Sequence, residues 1–284
     1  MPHTSVAHPR TRRVALAIAL AGATAALMAL AVPAPARAAE AFVGVDTAGQ
    51  LMTFTSTRPE RARRRPLTGL PSGETILGLD VRPANRQLYA LSSASRLYTI
   101  DVGTATATAV GTAPFVPALD GSSFGFDFNP MVDRIRVVSV TRQNLRLNPD
   151  TGANAAVDGR VAYAAGDGGA GRTPIIVGSA YNNPVANATV TELYGIDVGR
   201  DVLVEQDPPN PGTLVTQGAL GVNATSPVGY DIAPASGLGY ATFREARTRG
   251  TGLYTINEDT GRATLLGKFR GAAVRAMAIR GTLP

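Results

Sequence analysis

Short apolar runs recur along the chain, and glycine, proline or asparagine residues separate them. Residues 76–81 (ILGLDV) are apolar nearly throughout, which is typical of a strand packed on both faces. Shorter runs rich in β-branched and aromatic residues follow at residues 88–91, 97–100 and 106–110. After the first 38 residues, no apolar stripe of helical period is long enough to indicate a helix. The pattern therefore predicts an all-β fold made of four-stranded units.

The same unit returns along the chain, and a glycine in each first strand marks it. These glycines are 47, 53 and 51 residues apart, and they are Gly78, Gly125, Gly178 and Gly229. Such spacings are close to the roughly 40 to 50 residues of a four-stranded propeller blade. Residues 124–157 and 228–269 repeat the plan closely, whereas the unit that opens at residues 175–184 has one extra residue between its glycine and its proline. The chain therefore contains four full units.

The two ends of the repeat region complement each other. Residues 42–46, residues 51–55 and, after an arginine-rich link, residues 66–70 supply three strands, and residues 274–279 supply one. Together they complete a fifth sheet, which hides the edges that an open array would expose. A solenoid would instead need a capping repeat at each end. We therefore predict a single domain over residues 39–284, a five-bladed β-propeller closed by pairing of its N- and C-terminal strands, with a six-bladed ring as the alternative.

The first 38 residues have the features of a secretory signal peptide. A basic segment with Arg10, Arg12 and Arg13 precedes an apolar stretch over residues 14–32, and residues 36–38 (ARA) form a small-residue cleavage site. We expect residues 1–38 to be removed, which leaves no membrane attachment and places the protein in a periplasm or outside the cell. A partial twin-arginine pattern, TRRVAL, leaves both the Sec and the Tat export routes open.

Removal of the signal peptide changes the charge and the available chemistry. It takes four of the 27 basic residues and none of the 21 acidic residues, so the net charge falls from +6 to +2. A nearly neutral chain without tryptophan lacks the basic, aromatic surface of nucleic-acid-binding proteins. The chain has no cysteine, and both histidines, His3 and His8, leave with the signal peptide. A Ser-His-Asp triad, a Cys-His pair and an N/S zinc site are therefore excluded, and we expect a monomer without cofactor or metal.

Several segments resemble one known family. They are residues 125–139 (GFDFNPMVDRIRVVS), 144–152 (NLRLNPDTG), the irregular 178–184 (GSAYNNP) with 188–222, and 252–267 (GLYTINEDTGRATLLG). The chain resembles the bacterial domain of unknown function 4394 over nearly all of its length after the signal peptide. The resemblance implies a repetitive propeller-like fold. It implies no particular activity, so no catalytic residue carries over.

Three aspartates recur near the end of the first strands, at Asp80, Asp127 and Asp231. Converging carboxylates are one way to bind a cation in a central channel. The alternative, which we favour, is that each aspartate caps its own turn through backbone N–H groups. The turns at residues 148–152 (NPDTG) and 257–261 (NEDTG) lack the spacing of a calcium loop and predict hairpin turns with a left-handed glycine.

A run of arginines, Arg61, Arg63, Arg64 and Arg65, precedes the second unit. Its functional interpretation is a site for a polyanion such as a cell-wall polymer. The alternative, which we favour, is a solvated turn between the third and fourth strands of the first blade.

The links that enter the first strands and the loops that join second to third strands emerge around one end of the channel, here called the channel-mouth face. Carboxylates and arginines alternate there, and the candidate ligand-binding residues are Asp120, Arg142, Asp167, Arg172, Arg244 and Glu245, with Arg247 and Arg249 beside them. We expect a non-enzymatic binding or scaffolding module whose ligand or protein partner docks on this face. The alternative is a carboxylate-dependent glycoside hydrolase or lyase using Asp120, Asp167 and Glu245, since such enzymes need no histidine. The absence of tryptophan weighs against sugar subsites.

Overall fold

A computed structural model describes residues 39–246 and 250–282, with only the backbone described at Glu245 and Thr282. The predicted signal peptide, Arg247 and Arg249 lie outside these residues. The described chain forms 21 β-strands and one short 3-10 helix, Pro59–Arg61, and has no α-helix. Its one helix is too short to cross a membrane.

The strands form five antiparallel blades. Blade 1 contains, in spatial order, β21 (Val274–Thr282), β1 (Glu40–Asp46), β2 (Gln50–Thr55) and β3 (Arg63–Pro66). Blade 2 contains β4 (Ile76–Val81), β5 (Leu88–Ser92), β6 (Leu97–Asp101) and β7 (Thr106–Val110). Blade 3 contains β8 (Phe124–Asn129), β9 (Arg134–Ser139), β10 (Asn144–Leu147) and β11 (Asn154–Val157). Blade 4 contains β13 (Ile176–Tyr181), β14 (Leu193–Asp197), β15 (Val202–Gln206) and β16 (Thr213–Ala219), and blade 5 contains β17 (Ala224–Ile232), β18 (Gly239–Glu245), β19 (Thr251–Ile256) and β20 (Ala263–Lys268).

The ring closes through the two ends of the chain. β21 pairs antiparallel with β1, with Ala278 opposite Val43 and Ile279 opposite Phe42. The five first strands, β4, β8, β13, β17 and β21, pack side by side around the axis. The structure therefore confirms a five-bladed propeller closed by the pairing of N- and C-terminal strands, and no blade keeps an unpaired edge at the closure.

Two details differ from the sequence-based expectation. The outermost strand of blade 1 is β3 (Arg63–Pro66), in the arginine run itself, and not residues 66–70. Leu67 and Leu70 pack instead against the core between blades 1 and 2, so their apolar character serves the inter-blade link. Blade 4 also gains a short fifth strand, β12 (Ala162–Tyr163), which runs parallel to β16.

The core is divided among the five blade interfaces, each with its own cluster of buried apolar side chains. The first-strand glycines permit the blades to approach closely. A Cβ added at Gly125 would lie 2.1 Å from Oγ of Ser179, and one at Gly229 would lie 2.8 Å from the backbone nitrogen of Met277. The repeat therefore keeps glycine where one first strand touches the next.

The outer parts of neighbouring blades meet at the turns between third and fourth strands. Gly152 and Gly261 both have φ of +72°, as expected for the predicted hairpin turns. Each turn lies against the end of the preceding blade's outer strand, Gly152 against Val110 and Gly261 against Gly218. These turns therefore join blades as well as strands.

Candidate functional site

On blade 3, the structure brings Asp120 and Arg142 into adjoining loops of the channel-mouth face. The backbone N–H of Asp120 donates to Oε1 of Gln143 at 3.0 Å, and Oγ1 of Thr141 donates to the carbonyl of Asp120 at 2.7 Å. Arg142 is half-buried, has φ of +72°, and accepts a hydrogen bond at its carbonyl from Val161. The backbone of both residues is thus fixed, while the Asp120 carboxylate remains exposed.

Asp167 has a different environment, because its carboxylate is occupied by protein groups and its side chain is only 6% exposed. It accepts hydrogen bonds from the N–H of Gly169 at 2.6 Å, and from the N–H and Oγ1 of Thr216 at 2.6 and 2.8 Å. Nη1 of Arg200 lies 3.6 Å away. Burial alone would raise the pKa of Asp167, but the hydrogen bonds from Thr216 and Gly169 hold it below its ordinary value. Asp167 therefore fastens its link to the outer strand of blade 4.

Of the other three candidates, one lies in the Asp167 link and two lie at the end of β18. Arg172 is exposed in the same link as Asp167. Arg244 is half-buried at the end of β18, where its carbonyl accepts from Oγ1 of Thr225 at 3.1 Å. Glu245 is the last residue of β18, and its backbone pairs with Ala224. The candidates are therefore distributed over three sectors of the face.

The centre of the channel-mouth face is closed by side chains. A cavity of about 20 Å³ lies there, among Leu77, Phe124, Val177 and Val228. Deeper along the axis, between the first strands, a second cavity measures about 10 Å³. A single water needs about 10 to 15 Å³, whereas small-molecule pockets commonly measure about 300 to 1,000 Å³. The described axis therefore offers no sugar-sized cavity.

The three recurrent aspartates do meet at the axis. Each offers a carboxylate oxygen, and these oxygens all lie within 4.8 Å of one another in a buried site. Asp80 and Asp231 accept hydrogen bonds from the next residue of their own strand, at 2.6 and 2.7 Å. The corresponding positions of blades 4 and 1, two residues after the glycine position, are Ala180 and Ala278. The cluster therefore contains three carboxylates in a five-membered ring.

Each of these aspartates also accepts a hydrogen bond from a backbone N–H of the next blade. This corrects the expectation that each aspartate caps only its own turn. Asp80 accepts from the N–H of Phe128 at 2.7 Å, and Asp127 accepts from the N–H of Tyr181 at 3.0 Å. Asp231 accepts from the N–H of Ile279 at 2.6 Å. These donors lie in the first strands of blades 3, 4 and 1, so the aspartates join successive blades.

Burial of the cluster shifts its protonation. Desolvation raises the pKa of Asp231 to about 7, and the Glu40 carboxylate adds to the rise. Desolvation also raises the pKa values of Asp80 and Asp127 well above their ordinary range, and the neighbouring carboxylates raise them further. The raised pKa values favour protonation of the cluster, which allows three carboxyl groups to lie close together. Backbone N–H groups donate hydrogen bonds to their other oxygens.

Two buried arginines, which are not among the residues predicted from the sequence, also join blades. Arg136 is 2% exposed and donates to Asp158 at 2.6 Å and to Asn210, in blade 4, at 2.8 Å. Arg82, at the end of β4, forms ion pairs with Asp133 and Asp150 of blade 3. The one available signal was the position of Arg136 between two apolar residues, Ile135 and Val137.

Comparison with known proteins identifies the family. Among solved structures, one chain from the crystal structure of a nidogen/laminin complex gives a TM-score of 0.49 at 9% identity, covering 85% of this chain and 98% of that one. The Dos1 propeller gives a TM-score of 0.42 at 14% identity, covering 80% of this chain and 58% of that one. No curated protein matches the sequence. The sequence matches the domain of unknown function DUF4394 over residues 50–278, which is most of the propeller, and the chain therefore belongs to this family.

Proposed function

We propose that the protein is an exported, non-enzymatic β-propeller that binds a ligand or a protein partner through its channel-mouth face. One observation carries the proposal: the described loops that carry Asp120, Arg142 and Asp167 are fastened in place, while the described axis beneath them is closed to about 20 Å³. Such a surface can dock a partner but cannot enclose a substrate away from water. Export, to a periplasm or the cell exterior, rests on the signal peptide predicted over residues 1–38.

The loops of blade 3 are held by contacts that suit a binding surface. Nε2 of Gln143 donates to the carbonyl of Ala118 at 2.9 Å, and Nη2 of Arg160 donates to the carbonyl of Thr141 at 2.6 Å. Loops that are ordered before binding lose less conformational entropy when a partner docks. The exposed Asp120 is therefore presented on a rigid support.

The alternative function, a glycoside hydrolase or lyase, receives less support from this geometry. A hydrolase needs two carboxyl groups about 5 to 9.5 Å apart across an open pocket. Of the three acids assigned to that role, Asp167 already accepts hydrogen bonds from Gly169 and Thr216. The two cavities of the described axis, of about 10 and 20 Å³, are too small to hold a sugar between carboxylates.

Thermal melting of purified residues 39–284 tests the proposal. The chain is melted with calcium, sugars, cell-wall fragments, nucleotides and organic acids in turn. A ligand at 100 times its Kd adds about 2.7 kcal/mol, and each kcal/mol moves the midpoint of a domain this size by roughly 2 to 4 °C. We expect the double variant Asp120→Asn/Arg172→Gln to abolish the shift. The matched control, Asp259→Asn/Arg262→Gln, changes two exposed charges outside this face and should keep it.

Two outcomes would contradict the proposal. Turnover of a glycoside that Asp120→Asn abolishes would favour the enzyme. If no ligand shifts the midpoint, crosslinking of the tagged protein in intact cells must capture a partner that the Asp120→Asn/Arg172→Gln variant loses. Failure of both the melting and the crosslinking experiments would overturn the binding role of this face.

A further inference from the structure

A second concave surface lies where blades 1 and 2 meet, at the end opposite the channel-mouth face. It consists of three adjoining cavities of about 640, 410 and 330 Å³. The first and second share Arg280, and the second and third share Thr53 and Arg63. We call this surface the arginine track, after the lining residues Arg58, Arg61, Arg63, Arg65, Arg86 and Arg280.

Strand alternation places part of the arginine run on this surface. In β3, Arg63 pairs opposite Thr53 and Arg65 pairs opposite Leu51. Leu51 packs into the core between blades 1 and 2, so the side of β3 that carries Arg63 and Arg65 faces blade 2. Arg64 alternates to the other side of the strand and borders only the third cavity, and its Nε lies 3.1 Å from the Asp46 carboxylate. The run therefore contains one arginine with a structural ion pair and three, Arg61, Arg63 and Arg65, that line the track.

Few acidic groups lie beside the described arginines of the track, although the charge of Arg86 also acts on the axial aspartates. Asp101 is the one carboxylate among the described lining residues, and it accepts from the N–H groups of Gly103 and Thr104 in its own turn. Glu60 lies 3.9 Å from Arg61, and both side chains are exposed, so this pair contributes little. Within residues 39–246 and 250–282, no ion pair engages the other five arginines of the track.

Backbone contacts position two of these guanidinium groups without cancelling their charge. Arg65 donates to the carbonyl of Gly103 at 2.7 Å, and Arg86 donates to the carbonyl of Arg280 at 2.8 Å. Residues 39–284 contain 23 basic and 21 acidic residues, so they are nearly neutral as a whole. Six arginines beside two acids, Asp101 and Glu60, are therefore a local concentration of positive charge, which attracts an anion.

We infer that the arginine track binds an acidic polysaccharide, whose carboxylate or phosphate groups pair with the guanidinium groups. The three adjoining cavities suit a linear chain better than a single small anion. Thr55, Gln87 and Thr99 line the same cavities and offer hydrogen-bonding groups to sugar hydroxyls. The site lies away from the channel-mouth face and does not depend on the function proposed for it.

The aromatic side chains of the track argue against a nucleic acid as its occupant. Phe42 and Phe54 line the second cavity, but both are buried and stack on each other with centroids 4.9 Å apart. Binding of single strands relies on aromatic faces that are free to stack on bases. The described lining offers charge and hydroxyl groups instead, which are the groups that an acidic sugar chain uses.

Binding measurements on purified residues 39–284 test the inference. Calorimetric titrations use polygalacturonate, which carries carboxylates, and a phosphomannan, which carries phosphates, at low and at high salt. We expect at least one of them to bind, with affinity that falls as salt rises. The double variant Arg61→Gln/Arg63→Gln should weaken that affinity at least roughly tenfold, since charge-assisted hydrogen bonds are lost. The charge-matched control, Arg134→Gln/Arg262→Gln, should keep it, because neither residue lines the track or belongs to the channel-mouth candidates. Unchanged melting midpoints should show that both variants fold.

The other outcomes identify what is wrong. Equal binding of neutral dextran, or tighter binding of duplex DNA, would overturn the acidic-polysaccharide assignment. Loss of binding in the channel-mouth variant Asp120→Asn/Arg172→Gln but not in Arg61→Gln/Arg63→Gln would overturn the track and leave the channel-mouth proposal standing. No binding of either acidic polymer would overturn the track alone, because the channel-mouth face is tested with its own ligand panel.

Discussion

Ionisable side chains are buried at the axis of the propeller and exposed in the arginine track. At the axis, Asp80, Asp127 and Asp231 are buried, lie within 4.8 Å of one another, and accept backbone hydrogen bonds from their own and neighbouring blades. In the track, arginines such as Arg63 and Arg280 are exposed. The repeated charges hold the ring together, and the unrepeated charges remain available for a ligand. The aspartate that recurs in three of the five blades is therefore a poor guide to function here.

The largest expected effect comes from filling the contact between first strands. Gly125→Val should destabilise the protein by roughly 3 kcal/mol or more, because its Cβ would lie 2.1 Å from Oγ of Ser179. Gly166→Val is the matched control, because no atom lies within 4 Å of a Cβ added there. Urea denaturation of both variants measures the difference. Equal midpoints for the two variants would mean that the first strands do not pack as described.

Removing one inter-blade acceptor should cost less. Asp127→Ala leaves the buried N–H of Tyr181 without its acceptor, which costs about 1 to 3 kcal/mol. Asp127→Asn keeps an oxygen at the same place and removes a charge from the cluster, so it should cost less than the alanine variant. Denaturation at neutral pH compares the two. A larger loss in Asp127→Asn would show that the charge itself, and not the hydrogen bond, is needed at the axis.

The cluster also predicts a dependence of stability on pH. The folded pKa of Asp231, about 7, lies above its ordinary value of 3.8, so the folded state binds more protons between these values. This contribution to the free energy of unfolding is complete below about pH 4 and is lost as the pH rises through about 7. Burial also raises the pKa values of Asp201, Glu205 and Glu258, which adds to the trend.

We therefore expect a smaller free energy of unfolding at pH 9 than at pH 5, and a smaller difference in Asp231→Asn. Denaturant titrations at the two pH values check this. A wild-type protein that is more stable at pH 9 would contradict the protonation of the aspartate cluster. Stabilisation by calcium at pH 9 that Asp231→Asn abolishes would mean that a cation, and not a proton, neutralises the cluster.

The smallest effect separates the members of the arginine run. Arg64→Gln should cost about 0.5 to 1 kcal/mol, because it breaks the pair with Asp46 and the hydrogen bond to the carbonyl of Arg270. Arg63→Gln should change stability by less than about 0.5 kcal/mol, since its side chain is exposed. Melting midpoints compare the two. The reverse order would place Arg63, and not Arg64, in the structural role.

The repeat itself could be predicted from the sequence, because glycine spacing and turn residues act locally. Gly78 and Gly125 mark first strands, and the left-handed Gly152 ends a hairpin turn that its own neighbours specify. The complementary N- and C-terminal strands of the repeat region also predicted that the ring closes between them. The irregular unit at residues 175–184 still forms a blade because its strands keep the same order.

Contacts between blades could not be predicted in the same way. Asp80 and its donor, the N–H of Phe128, are 48 residues apart, and Asp127 and Tyr181 are 54 apart, so no local pattern connects them. The division of the arginine run depends on the register of β3 against β2, which placed Arg63 opposite Thr53. Among the candidate site residues, the structural role of Asp167 could not be predicted, because its hydrogen-bond donor Thr216 belongs to a strand 49 residues later.

The most direct test of the contrast between axis and track is one titration series with three proteins. Polygalacturonate or the phosphomannan is titrated into wild type, Arg61→Gln/Arg63→Gln and Asp127→Asn, and each protein is melted without ligand. We expect the arginine variant to lose affinity with an unchanged midpoint, and Asp127→Asn to keep affinity with a changed midpoint. Loss of affinity in Asp127→Asn, with the arginine variant binding as wild type does, would place the ligand at the axis and contradict the assignment of structure to the axis and function to the surface.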